Sequence, residues 1–313
     1  MTVTLDTIRA AQARIAGHVR ATPVLEPVGL LNPVTEGRLA LKLDFLQPTG
    51  SFKVRGAVNT LKSLSAEQVS RGLITASGGN HGLAVAYAAW MGGAKAVVYL
   101  PRSAPPAKAE SLRRWGAEVV IEGSVFDEAA VAAMARAQEE GMTWVHPFAP
   151  ESVINGQGTL GLEILDQVPD VDTVVVAIGG GGLISGVATA IKSVRPQVKV
   201  IGVEPVGAPT HYESRKAGGL VTLDAIATAA GTLAPRRSEQ LNYDLITAHV
   251  DDIVLVDDQA MYAAARWLWA ECAIGAELAG AAGVAALMNG AVRVAAGETV
   301  CTIVCGAGTD GVT

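Results

Sequence analysis

The chain has 313 residues, with 30 acids against 24 bases for a formal net charge of −6, half of its residues hydrophobic and 17% charged. That composition excludes a disordered chain, and the acidic balance argues against nucleic acid or an anionic membrane as partner. The length allows one large domain or two modest ones, and 35 glycines are more than turns alone require.

Residues 5–20 carry apolar positions near a 3.6-residue period and predict a helix; 39–43 alternate and predict a strand; 53–63 predict a helix. A short apolar strand over 72–76 leads through a glycine turn into a helix over 80–91. A strand at 95–100, a helix at 105–115, a strand at 118–121 and a helix at 126–139 follow. The run 173–178 is apolar and β-branched, as a parallel strand covered on both faces requires. Gly179–Gly182 come next, then a helix over 183–194 and a strand at 199–203. From there to 257 the pattern is less regular; helices over 258–271 and 277–288 and a buried strand over 299–304 complete the chain. The alternation predicts an α/β fold with parallel sheets. In such sheets ligands gather beyond the carboxyl ends of the strands. The glycine turns after 72–76, 173–178 and 299–304 therefore predict one composite site.

Asp6, Arg9 and Arg14 interrupt the first apolar stretch, so no signal peptide is expected. No uncharged apolar run reaches the ~20 residues that span a bilayer. Cys272, Cys301 and Cys305 lack metal-binding spacing, and their odd count predicts reduced thiols in the cytoplasm.

The segment 47–57, QPTGSFKVRGA, places a turn at Pro48–Gly50, Ser51 as a candidate N-cap and Lys53 at the start of a helix. No acid stands three or four residues from Lys53. A helix N-terminus disfavours a cation by roughly several tenths of a kcal/mol, and so favours the neutral amine that a nucleophile needs. The segment 76–82, ASGGNHG, leads a strand into a helix whose first N–H groups suit a carboxylate or phosphate. Capping and local hydrogen bonding by Asn80 and His81 read equally well from these residues alone. The four glycines 179–182 show no packing reason and suit a phosphate at the next helix start. Gly180, Gly182 and Gly186, with Glu204 further on, also fit a dinucleotide site, so an NAD-dependent oxidoreductase competes as a reading; it leaves Lys53 without a task.

A reactive lysine, a phosphate loop and an anion-binding Asn loop together suggest pyridoxal phosphate. The segments KLDFLQPTGSFKVRGA (42–57), ASGGNHGLAVAYAA (76–89), HPFAPESVINGQGTLGLEI (146–164), AIGGGGLISG (177–186), GVEPVGAP (202–209) and CGAGTD (305–310) occur in this order. They resemble the fold-type II pyridoxal-phosphate enzymes, in particular the threonine/serine dehydratase and serine racemase branch. The resemblance implies Lys53 as the Schiff-base lysine and the base at Cα. It implies Gly179, Gly180, Gly181, Gly182 and Leu183 on the cofactor phosphate, Asn80 on the ring hydroxyl, Phe52 under the ring and Cys305 against the pyridine nitrogen. Ser51, Ser77, Gly78, Gly79 and His81 would surround the substrate carboxylate. Two mostly parallel, tryptophan-synthase-beta-like domains are implied: 1–66 with 148–313 as the large cofactor-binding domain, and 67–147 as a small inserted one. A homodimer acting on a small amino acid is expected.

A thiol supports a pyridinium poorly, which suits β-elimination of a threonine- or serine-type β-hydroxy amino acid to a 2-oxo acid and ammonia. Serine racemases carry a serine at the position of Gly78 and tend to a polar residue at that of Phe148, so racemisation is the less favoured reading. Gly78 with Gly82 suggests room for a bulkier substrate. The family's cation site uses Glu204 and an acid six residues on; here that residue is Thr210, so no metal is expected. The family's acid-Pro-x-Gly-Ala motif stands as Glu277, Leu278, Ala279, Gly280 and Ala281, without its proline.

Overall fold

The computed structural model describes residues 3–124 and 126–312. Its strands are β1 (Val24–Leu25), β2 (Arg38–Lys42), β3 (Leu73–Ala76), β4 (Ala96–Leu100), β5 (Glu118–Ile121), β6 (Thr143–Trp144), β7 (Thr173–Ala177), β8 (Lys199–Pro205), β9 (Asp252–Val256) and β10 (Thr299–Ile303). They form a six-stranded sheet in the order β1-β2-β10-β7-β8-β9 and a four-stranded sheet in the order β5-β4-β3-β6. Every pairing is parallel except β1 with β2. All four strands of the smaller sheet come from residues 73–144. β7 and β10 lie at the centre of the larger sheet and are buried along their whole length, which is why they read as unbroken apolar runs.

The helices are α1 (Leu5–Ile15), α2 (Lys53–Lys62), α3 (Ala66–Arg71), α4 (Asn80–Met91), α5 (Pro106–Arg113), α6 (Phe126–Glu140), α7 (Glu151–Gln167), α8 (Gly182–Val194), α9 (Thr210–Ala217), α10 (Gln240–His249), α11 (Asp258–Cys272) and α12 (Leu278–Met288). α1 stops five residues short of its predicted end, because Gly17 takes a left-handed φ of 75° and breaks the ladder. The sequence pattern did not predict α3, α7, α9, α10, β1, β6 or β9.

The case of α7 is instructive. Its 17 residues contain Gly156, Gly158 and Gly161, which lower helix propensity. Those glycines let helices touch. A Cβ on Gly156 would stand 2.6 Å from the Arg55 carbonyl oxygen, one on Gly161 2.8 Å from that of Val187, and one on Gly186 2.3 Å from that of Ile154. Close backbone approach of α7 to α2 and α8 outweighs the weak intrinsic helicity.

α2 joins the two sheets. Its Val54, Ala57, Val58 and Leu61 pack with Leu73, Ala84, Val85 and Ala88 in the core of the smaller sheet. Its other face carries Arg55, fully buried, which reaches both Asp44 (2.7 Å) and Glu163 (2.6 Å). Glu163 also accepts from the buried Lys42 Nζ at 2.8 Å. Desolvation and opposing charge compete here. The Arg55 guanidinium wins for Asp44, holding its carboxyl below the ordinary range despite complete burial.

Candidate active site at the carboxyl edges of the two sheets

Lys53 opens α2. The N-cap is Phe52, in α-helical conformation and with no side-chain cap. Ser51, expected there, instead bridges Gly306 after β10, and its buried Oγ has no hydrogen-bond partner among the described residues. The Phe52 N–H donates to the Cys305 carbonyl at 3.1 Å, and the Ala307 N–H to the Gly50 carbonyl at 2.8 Å. The turn before the lysine is thus sewn to the end of β10. Gly50 takes a φ of 79°, which a side chain would strain.

The Lys53 amine donates to the Pro147 carbonyl at 2.6 Å and lies 5.2 Å from the Phe52 ring centroid. Burial draws its pKa down from 10.5 to about 8, against the opposing pull of Cys305 and Glu277. The amine is still mostly charged at pH 7, but its neutral fraction is far larger than that of an ordinary lysine, as a nucleophile or base requires. Burial keeps the neighbouring His81 and His146 neutral, at about 3 and about 4. His146 Nδ1 accepts from the Phe148 and Ala149 N–H groups, so its proton resides on the other nitrogen.

Asn80 begins α4, and its Nδ2 donates to Glu277 Oε1 at 2.9 Å. The first N–H groups of α4 have no intrahelical acceptor. Gly79 N–H donates to Ser77 Oγ at 3.3 Å. The ring of His81 is turned to the Val145 carbonyl at 2.9 Å and is buried, so its backbone N–H is what it offers to the cleft. A Cβ on Gly78 would meet Leu100 Cδ2 at 3.0 Å and Lys108 Cδ at 3.1 Å, both on flexible side chains. Gly82 adds no room, because a Cβ would stand 1.9 Å from the Ser77 carbonyl oxygen. Gly82 therefore serves a close backbone approach and opens no space, whereas Gly78 faces the ends of two flexible side chains.

The glycine loop follows β7. Gly181 is the N-cap of α8 with φ 91°, and Gly182 and Leu183 open the helix. The expectation that these glycines lack a packing reason is corrected at every position. A Cβ would come 2.8 Å from the Thr232 carbonyl oxygen at Gly179, 2.2 Å from the Phe148 ring at Gly180, 2.7 Å from His211 Nε2 at Gly181 and 2.5 Å from the Phe148 carbonyl oxygen at Gly182. The loop is walled on its outer side while its first-turn N–H groups carry the positive end of the α8 dipole.

Cys305 is buried, donates weakly to the Ala279 carbonyl at 3.5 Å and has its thiol pKa pushed far up by burial. The Glu277 carboxylate is near enough for its charge to act on both Cys305 and Lys53. Burial lifts the Glu277 carboxyl to about 7, with Asp310 adding to the rise and Asn80 and Thr232 opposing it through hydrogen bonds. Glu277 was visible only as a member of a motif that had lost its proline; its position between Asn80 and Lys53 had no sequence signal. Glu204 has another task. It is fully buried, and its two oxygens accept from the His211 and Tyr212 N–H groups at 2.8 Å each, capping α9. It cannot reach a ribose, which removes the dinucleotide reading. Thr210 donates to the Pro235 carbonyl at 2.7 Å. Among the described residues no cluster of three or more His, Cys, Asp or Glu could hold a metal ion.

The arrangement brings together a depressed lysine amine, a helix-start glycine loop and a second helix start: Lys53 reaches Pro147, the adjoining Phe148 packs on Gly180, and Asn80 meets Glu277. Comparison with known proteins agrees with it. The family described as pyridoxal-phosphate dependent enzyme matches residues 15–306. An L-threonine ammonia-lyase of Thermotoga maritima is 43% identical over 92% of this chain and 71% of its own length. A serine racemase of Oryza sativa is 38% identical over 91% of this chain and 84% of its own. The structure of maize serine racemase superposes with a TM-score of 0.93 at 35% identity, covering 98% of this chain and 94% of that one.

Proposed function

Because this chain belongs to the pyridoxal-phosphate-dependent enzymes, we propose that it is an ammonia-lyase releasing 2-oxo acid and ammonia from L-threonine or L-serine. The observation that carries the reading is the Lys53 amine at the start of α2, held by the Pro147 carbonyl at 2.6 Å and drawn down in pKa by burial. The residues present fit the cofactor: a covalent anchor, a glycine cradle with no space for side chains, and buried hydroxyls at Thr49, Ser51 and Ser185 that have no partner among the described residues.

When bound, the cofactor withdraws electrons from the amino-acid Cα. Lys53 anchors it and moves the proton at Cα. The N–H groups of Gly181, Gly182 and Leu183 hold the phosphate, and Phe52 supports the ring. Cys305, a buried neutral thiol, would face the ring nitrogen and supply no charge to it, which suits loss of the β-hydroxyl as water once it has received a proton. Ser51, Ser77, Gly79 and the first-turn N–H groups of α4 hold the substrate carboxylate, with Asn80 on the ring hydroxyl. Gly78 has no proton to transfer, so the opposite face of Cα has no acid in that position and elimination is favoured over racemisation. The relation to serine racemases gives the second reading its weight.

The unit 67–147 closes over the remainder of the chain, 1–66 with 148–313, and excludes water from the reacting centre. The protein is a cytoplasmic homodimer in this proposal. Its three free cysteines fit a reducing compartment, and exposed Val28, Leu31 and Trp269 offer apolar surface for a second copy. No described helix is long and apolar enough to cross a membrane.

The test is a panel of L-threonine, L-serine, D-serine and hydroxyaspartate, read by 2-oxo acid and ammonia release and by chiral chromatography. L-threonine or L-serine turnover abolished in Lys53→Ala supports the proposal. Formation of D-serine without ammonia makes the protein a racemase instead.

A further inference from the structure

The glycine loop is held by side chains from another part of the chain. The Gly180 carbonyl is gripped from outside by two buried side chains: Asn242 Nδ2 donates to it at 2.6 Å and Ser238 Oγ at 2.9 Å. The described chain has no cis peptide bonds, and in a trans peptide the C=O and the following N–H point to opposite sides of one rigid plane. Pulling the Gly180 carbonyl toward Asn242 and Ser238 therefore turns the Gly181 N–H the other way. Gly181 itself takes φ 91°, a conformation that its lack of a side chain permits. The same Asn242 amide donates to the Phe148 carbonyl at 3.2 Å. That carbonyl would be 2.5 Å from a Cβ on Gly182. One side chain thus sets the spacing of the loop from the 146–150 segment. With two carbonyl oxygens facing it, the amide nitrogen must point inward.

We propose that Asn242, assisted by Ser238, is the positioning residue of the glycine loop, orienting its N–H groups for a phosphate ester. This rests on the assignment of that loop to the cofactor phosphate. Both residues come from α10 and the segment before it, about 60 positions from the loop, where the sequence shows no clear period.

The experiment titrates cofactor-free protein with pyridoxal phosphate and, separately, with pyridoxal, following the visible absorbance of the lysine-bound cofactor and the phosphorus resonance. The variants are Asn242→Ala, Asn242→Asp, Ser238→Ala and Gly182→Ala. Asn242→Ala should weaken pyridoxal phosphate about tenfold and Ser238→Ala about threefold, with a shifted phosphorus resonance and pyridoxal binding within about twofold of the parent. Asn242→Asp should be worse than alanine, because a carboxylate would oppose two carbonyl oxygens. Ser238→Ala carries the test if the Asn242 variants do not fold. Equal losses of pyridoxal phosphate and pyridoxal would reveal a general structural role and overturn the inference. Unchanged phosphate-ester affinity in the Asn242 and Ser238 variants, with a loss in Gly182→Ala, would do the same while sparing the site. Unchanged affinity in Gly182→Ala would remove the phosphate assignment and this inference with it.

Discussion

Replacing Lys53 with methionine should stabilise the cofactor-free protein. Burial lowers the amine from an ordinary 10.5 to about 8. At 1.36 kcal/mol for each tenfold, that amounts to about 3 kcal/mol against folding at neutral pH. Part of the side chain borders the cleft, where solvent screens some of this, and the hydrogen bond to the Pro147 carbonyl would be lost at a cost of about 1 kcal/mol. Methionine fills the same space without a charge. The expected gain is about 2 kcal/mol at pH 7, or roughly 4 °C in Tm.

The pH dependence separates this cause from better packing. Between about 8 and 10.5 the unfolded chain binds more protons at this site than the folded one, so the parent gains stability as pH rises through that window. The advantage of Lys53→Met is therefore full below pH 8 and falls away toward pH 10.5. Urea unfolding of cofactor-free parent and variant at pH 7 and pH 10 measures it. A variant less stable at pH 7, or a gain independent of pH, would refute the argument.

Glu277→Gln tests the opposite sign. Its carboxyl is raised from 4.5 to about 7, so the parent loses stability as pH climbs through that interval, and the variant should gain about 2 kcal/mol over it at pH 8 and nothing below pH 4.5; unfolding curves at the two pH values check this. Arg55→Met leaves fully buried Asp44 without its cation and should cost about 3–5 kcal/mol, seen as a large fall in Tm that Asp44→Asn in the same chain partly recovers. Gly186→Ala drives a Cβ to 2.3 Å from the Ile154 carbonyl oxygen and should lose about 2–3 kcal/mol by forcing α7 from α8, measurable in the same assay.

Local chemistry makes much of the site legible in the sequence. Lys53, the 76–82 turn and Gly179–Gly182 each announce themselves within a few residues, because a strand end, a glycine turn and a helix start are short-range features. Glu277, Asn242 and Ser238 do not. Their work depends on partners 197, 62 and 58 positions away in the chain, and nothing beside them differs from an ordinary helix start or surface turn. The fold shows the same division. β7 and β10 could be read from their own residues, whereas α7 could not, because its glycines matter only once α2 and α8 lie against them.

The placement of Lys53 follows from both parts of the molecule at once. The apolar face of its helix belongs to the core of the smaller sheet, while the turn that precedes it is bridged to Gly306 beyond the central strand of the larger one. Its amine is held by Pro147, between the two. A lysine on one sheet alone could be moved by loop rearrangement; this one can shift only if α2 tilts, and Arg55, two residues on, ties that helix to Asp44 by a fully buried ion pair and to Glu163 by a partly buried one. Such pairs add little net stability but tolerate few geometries. The buried charges two residues from the reactive amine are best understood as what fixes its position, since apolar packing of the same volume would stabilise α2 as well and locate it less sharply.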